Sequence, residues 1–146
     1  MVRSIEFISH SREETIAFAE QFGKTVPEGA VLCFFGDLAA GKTTFIKGLS
    51  HGFGAVAEDE VSSPTFVILN IYEGKKIIHH FDLYRLEGPE AFLSMGFDQY
   101  LGGEGIACIE WSEKISSILP INAYTVTLTT LGEDRRKINI RSPQDG

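Results

Sequence analysis

The chain of 146 residues is 43% apolar and 23% charged and carries eleven Phe, four Tyr and one Trp, a balance that excludes a disordered chain and suits a packed core. That length fits one domain, which at this size buries roughly two thirds of its unfolded surface. A net charge of −7 argues against a broad nucleic-acid surface, because affinity for a polyanion comes from Lys and Arg neutralising phosphates, so any RNA would be held by a partner.

Ile5 to Ser9 reads as a short strand, and Ser11-Arg12-Glu13-Glu14 has the form of a capping box before a helix with Ile16, Ala19 and Phe22 on one face and Gly23 at its end. Pro27-Glu28-Gly29 makes a turn into Ala30 to Phe35, an apolar run that never alternates and so reads as a central parallel strand buried on both faces. That run is the longest in the chain, and its six residues fall far short of the roughly 20 that cross a bilayer. No signal-peptide stretch follows Met1-Val2-Arg3-Ser4, so the expectation is a cytoplasmic protein without membrane contact. After a glycine loop, Phe45, Ile46, Leu49 and Phe53 recur at helical spacing from about Lys42 until Gly52 and Gly54.

Phe66 to Tyr72 and Lys75 to Asp82 flank Glu73-Gly74, which predicts a hairpin with a two-residue turn. If the second run is a strand, the adjacent His79 and His80 point to opposite faces and share no metal. Glu90 to Leu93 opens a short helix after Pro89, and Gly102-Gly103-Glu104-Gly105 is a loop before the apolar strand Ile106 to Glu110. Tyr124 to Leu131 and Arg135 to Arg141 alternate around Gly132-Glu133-Asp134, a second hairpin. The expectation is therefore an α/β fold with a mixed sheet. Cys33 and Cys108 lie inside apolar strand-like runs and outside any CxxC spacing, so they read as buried, reduced thiols.

Gly36-Asp37-Leu38-Ala39-Ala40-Gly41-Lys42-Thr43 matches G-x-x-x-x-G-K-[ST] and lies between a buried strand and an amphipathic helix, where the motif must lie. Inward-pointing amides of such a loop and the positive end of the following helix bind a polyphosphate even on an acidic protein. In this reading the segment Gly36 to Thr44 binds Mg²⁺–ATP, Lys42 reaches the outer phosphates, and the Thr43 hydroxyl ligates Mg²⁺. The bland alternative is a tightly packed glycine turn with a solvated Lys42.

Hydrolysis also needs an acid near the metal and a group that orients water. Asp82 and Glu110 each end an apolar strand-like run, and carboxyl ends of strands line the ligand crevice in open α/β sheets; otherwise they simply cap turns. Ser62-Ser63-Pro64-Thr65 could supply another hydroxyl to the metal from a nucleotide-responsive loop, whereas Glu58-Asp59-Glu60 reads as solvated. Trp111 either stacks near the nucleotide or packs in the core.

Together, Gly36-Asp37-Leu38, Gly41-Lys42-Thr43-Thr44, Ser63-Pro64-Thr65-Phe66, His80-Phe81-Asp82-Leu83-Tyr84-Arg85-Leu86 and Glu110-Trp111 resemble the TsaE (YjeE) family in order and over nearly the whole chain. The resemblance implies a P-loop NTPase-like three-layer α/β/α fold and an ATPase that works with the TsaB and TsaD proteins. These make threonylcarbamoyladenosine at position 37 of tRNA, TsaD transferring the threonylcarbamoyl group. By position, Lys42 would contact phosphate, Thr43 and Glu110 would serve Mg²⁺, and Asp82 would be the Walker-B-like acid. Thr65 would belong to a switch-like loop and Arg135 would approach the nucleotide. Where the family reads Gly at the fourth loop position this chain has Ala39, and a positive φ there would cost about 1–2 kcal/mol.

Two other function classes fit a P-loop. A small-molecule kinase needs an arginine-bearing lid, and only Arg85 lies between the loop helix and the last hairpin. A non-hydrolysing scaffold would use ATP only to order the Thr65 loop for a partner. No N-K-x-D segment for reading guanine occurs.

Overall fold

The computed structural model describes residues 3–36, 40–54 and 68–143. Among them the elements run β1 (Arg3–Ser9), α1 (Arg12–Gly23), β2 (Val31–Phe35), α2 (Lys42–Gly52), β3 (Leu69–Tyr72), β4 (Ile78–Asp82), α3 (Pro89–Ser94), β5 (Ile106–Glu110), β6 (Tyr124–Thr130) and β7 (Arg136–Ser142). Two 3₁₀ segments, Phe97–Tyr100 and Ser112–Ile118, flank β5.

The seven strands form one sheet in the order β1-β7-β6-β2-β5-β4-β3. β6, β2, β5 and β4 run parallel, while β1/β7, β6/β7 and β3/β4 pair antiparallel, so the sheet is mixed as the sequence predicts. Apolar side chains at every position let β2 feed two cores. Leu32 and Phe34 join one with Phe22, Phe45 and Leu49 of α1 and α2, and Val31 and Cys33 join the other with Phe81, Phe92 and Ile115. β5 divides in the same way, Ile106 and Cys108 to the first core and Ala107 and Ile109 to the second. Helices α1 and α2 thus cover one face, and a thinner layer of α3 and the 3₁₀ segments covers the other. Cys33 and Cys108 are free and buried.

The helix starts follow their sequences. Ser11 Oγ accepts from the Glu14 amide at 3.1 Å, and Glu14 Oε1 reaches back to accept from the His10 amide at 2.8 Å. α1 lies so close to α2 that a Cβ on Gly48 would stand 2.6 Å from both Ala19 Cβ and the Ile16 carbonyl oxygen.

The first hairpin corrects one expectation. Its strands pair from Leu69↔Phe81 to Tyr72↔Ile78, so residues 73–77 form the connection rather than Glu73-Gly74 alone. The residues expected to start the second strand are bound elsewhere: the Lys75 amide donates to the Phe53 carbonyl at 2.8 Å, and Lys76 Nζ donates to the Val26 carbonyl. The part of the first strand predicted over Phe66 and Val67 lies outside the described residues. The final hairpin forms where expected, Thr130 pairing with Arg136.

Candidate functional site

The loop after β2 starts under a steric constraint. Gly36 has φ 140, and a Cβ there would stand 2.5 Å from the Leu128 carbonyl oxygen of β6, so only glycine lets the chain leave the sheet here. Gly41, with φ 98, precedes α2 and accepts from the Phe45 amide through its carbonyl at 2.9 Å. Of the predicted loop, Gly36, Ala40, Gly41, Lys42, Thr43 and Thr44 are described; Asp37, Leu38 and Ala39 lie outside the described residues, as does Thr65.

Lys42 is buried, and its Nζ donates to the Gly36 carbonyl at 2.8 Å while standing 3.7 Å from Glu110 Oε1. The ammonium therefore spans the mouth of the loop between the ends of β2 and β5. Glu110, 5% exposed, gives its other oxygen to His80: Nε2 and Oε2 are 2.8 Å apart. His80 is fully buried, and its Nδ1 meets the Tyr72 hydroxyl at 3.3 Å.

Asp82 is the register partner of Glu110 across the parallel pair β4/β5, and alternation along β4 sends it to the face that His80 uses. Its Oδ1 accepts from the Tyr84 amide at 3.1 Å. His79 and His80 do point to opposite faces: the His79 ring stacks on Tyr100 at 4.3 Å, away from Glu110. Trp111 follows Glu110 with φ 63, the only positive value at a non-glycine among the described residues. Such a conformation costs of order 1–2 kcal/mol. Trp111 packs on Tyr84 with ring centroids 5.0 Å apart and borders a small cleft with Gly36 and Lys42.

On the other side of Lys42 an open cavity of about 350 Å³ is walled by three elements: Ser11, Arg12 and Thr15 from the start of α1, Gly41 to Thr44 from the start of α2, and Asp134 and Arg136 from the β6–β7 hairpin. Parallel pairing of β6 with β2 explains the third wall, since both strands end at the same edge of the sheet. Arg136 Nη1 points at the carbonyls of Gly132, Glu133 and Arg135, 3.1, 3.1 and 2.9 Å away, and stiffens that loop. Arg135 itself is exposed and Arg136, one residue on, borders the cavity.

Several of these residues escaped the sequence reading. His80 had one usable signal, its period-two spacing from Asp82. Ser11, Arg12, Thr15 and Arg136 had none, because the topology alone brings them to the loop.

A strand, glycine loop and helix in this order, at the carboxyl ends of a mixed sheet covered on both faces, define a P-loop NTPase-like α/β protein. The family model described as "Threonylcarbamoyl adenosine biosynthesis protein TsaE" matches residues 9–138. The chain is 38% identical over 133 residues to the Treponema pallidum protein named "tRNA threonylcarbamoyladenosine biosynthesis protein TsaE", covering 91% of this chain and 97% of the relative. The Bacillus subtilis protein of the same name is 35% identical over 94% of this chain and 85% of its own length. The crystal structure of Bacillus subtilis YdiB superposes with a TM-score of 0.80 at 31% identity, covering 99% of this chain and 88% of that one. The chain belongs to the TsaE family.

The donor set suits Mg²⁺ arriving with a nucleotide. Among the described residues no group of three or more His, Cys, Asp and Glu is placed to hold a metal alone. Thr43 brings a hydroxyl at the start of α2 and Glu110 a buried carboxylate beside Lys42, and Mg²⁺ takes one or two protein oxygens of this kind together with phosphate.

Proposed function

We propose that the chain is the Mg²⁺-dependent, ATP-binding and ATP-hydrolysing component of the machinery that makes threonylcarbamoyladenosine at tRNA position 37, acting with TsaD and TsaB. The observation that carries this reading is the seat of Lys42, whose ammonium lies between the Gly36 carbonyl and the Glu110 carboxylate. There an incoming phosphate would replace the carbonyl as its partner.

In this reading the amides of residues 36–44 enclose the phosphates and Lys42 shares their charge. The adenosine half enters the cavity between α1 and the β6–β7 hairpin, and Arg135 of that hairpin would approach the nucleotide. Thr43, Glu110 and Asp82 would hold the Mg²⁺, with Thr65 as a further oxygen from a switch-like loop. The chemistry such an ion would supply is neutralisation of phosphate charge. Glu110 and Asp82 supply the acceptor oxygens that orient the attacking water. The whole chain works as one cytoplasmic domain, and its net charge of −7 leaves the tRNA to the partners.

Lys42→Ala should weaken ATP binding at least tenfold, about 1.4 kcal/mol, by calorimetry. ATP turnover should be low for the chain alone and rise when TsaB and TsaD are added. A mixture with no increase, together with a Glu110→Ala variant that behaves like the parent, would replace the ATPase by the nucleotide-gated scaffold.

A further inference from the structure

Resting on the ATPase reading above, we propose that His80 is the positioning residue for Glu110, fixing which carboxylate oxygen faces the metal and phosphate and being fixed in turn by Tyr72. An ionised carboxylate only accepts hydrogen bonds, so His80 Nε2 carries the proton and donates to Oε2 at 2.8 Å. In the neutral ring Nδ1 is then the acceptor, and the Tyr72 hydroxyl at 3.3 Å donates to it. The order Tyr72, His80, Glu110, Lys42 thus runs from β3 through β4 and β5 to the start of α2.

Two distances decide which neighbour holds the carboxylate. The His80 contact at 2.8 Å is a full hydrogen bond, whereas Lys42 stands 3.7 Å from Oε1, beyond the 2.7–2.9 Å or so of a tight charge-assisted bond. Glu110 is therefore anchored by the histidine and only approached by the lysine. Lys42 stays free to move to a phosphate, and Oε1 stays aimed at the mouth of the loop.

Burial reinforces the point. His80 is fully buried and Glu110 is 5% exposed, so solvent offers Oε2 little substitute. Without His80 the Glu110 carboxylate would keep only the looser approach of Lys42, and the arriving ion would have to order it. Partners that orient metal-binding groups are worth roughly 10–100-fold in metal affinity when removed.

The test is calorimetric titration of ATP with and without Mg²⁺, which separates ion-dependent tightening from binding of the nucleotide alone. His80→Leu should leave Mg²⁺-free affinity within about threefold while cutting the Mg²⁺-dependent tightening about tenfold or more. His80→Gln, whose amide nitrogen reaches the place of Nε2, should recover most of it. In a Glu110→Gln background His80→Leu should change nothing further, because the effect passes through that carboxylate. Should His80→Leu fail to fold, Tyr72→Phe decides: a Mg²⁺ response reduced at least twofold supports the chain of contacts, and an unchanged one overturns it. Equal losses with and without Mg²⁺, no rescue by Gln, or additive effects with Glu110→Gln would make His80 merely structural. A parent protein that binds no Mg²⁺–ATP overturns the nucleotide reading and this proposal together, whereas a binding parent with an unaffected His80→Leu overturns this proposal alone.

Discussion

Replacing Gly48 by Ala puts two known effects in opposition at the crossing of α1 and α2. In an exposed helix interior the change stabilises by about 1 kcal/mol, because Ala loses less backbone freedom than Gly. Here the added methyl would meet Ala19 Cβ and the Ile16 carbonyl oxygen at 2.6 Å each, against the roughly 3.5–4 Å of ordinary carbon contact. Neither atom sits on a side chain that can rotate away, so the helices must part by about 1 Å, and overpacking of that kind costs about 1–3 kcal/mol. The second effect wins or at least cancels the first, with an expected net loss of up to about 2 kcal/mol in urea unfolding. At about 2–4 °C per kcal/mol for a chain of this size, the melting temperature falls by up to about 8 °C. Gly132→Ala, whose added Cβ has no heavy atom within 4 Å, is the control and should be near neutral. Because the starts of α1 and α2 are two walls of the cavity beside Lys42, ATP affinity should fall as well. A Gly48→Ala protein more stable than its parent would refute the claim that backbone contact sets the helix spacing.

Burial pushes the pKa of the Cys108 thiol up, with the nearby Glu110 charge and Cys33 adding to it, and burial raises Cys33 also. A thiol reagent at mildly alkaline pH should therefore label neither cysteine in the native protein and both in guanidinium, as mass spectrometry would read. Desolvation lowers the pKa of His79 below its ordinary 6.5, and the negative charge of Glu104 only partly opposes this. The folded state thus prefers the neutral ring, so His79 favours folding above pH 6.5 and that contribution is lost as the pH falls through its folded pKa. Urea unfolding across this range should show the decline, and His79→Phe should flatten it; an equally steep decline in the variant would assign the pH dependence to other groups.

Much of the fold is legible because its signals are local. The unbroken apolar run into Phe35 describes a strand that serves two cores, and the glycines, Lys42 and Thr43 that follow are contiguous in the chain. The final hairpin announces itself by alternation. What the sequence conceals comes from distant partners. The Glu73-Gly74 turn looks sufficient until Lys75 and Lys76 are found bound to Phe53 and Val26. Neither 3₁₀ segment has a period long enough to read. Arg135 and Arg136 are neighbours, one exposed and the other bordering the cavity, a difference that no local pattern announces. The anchoring of Glu110 by His80 joins residues 30 positions apart and leaves only a period-two hint on β4.

The place of β6 in the sheet has a consequence for biosynthesis. β2 must wait for this late strand to cover one of its two edges, and β6 emerges about ninety residues after it. At translation speeds of about 5–20 residues per second, β2 stays on the ribosome with neither edge covered until β5 emerges and with one edge open until β6 follows, roughly 5–20 s in all. During that interval the uncovered strand edge is open to pairing with other chains, and the turn bearing Asp134 and Arg136 completes the cavity beside Lys42 only as this exposure ends.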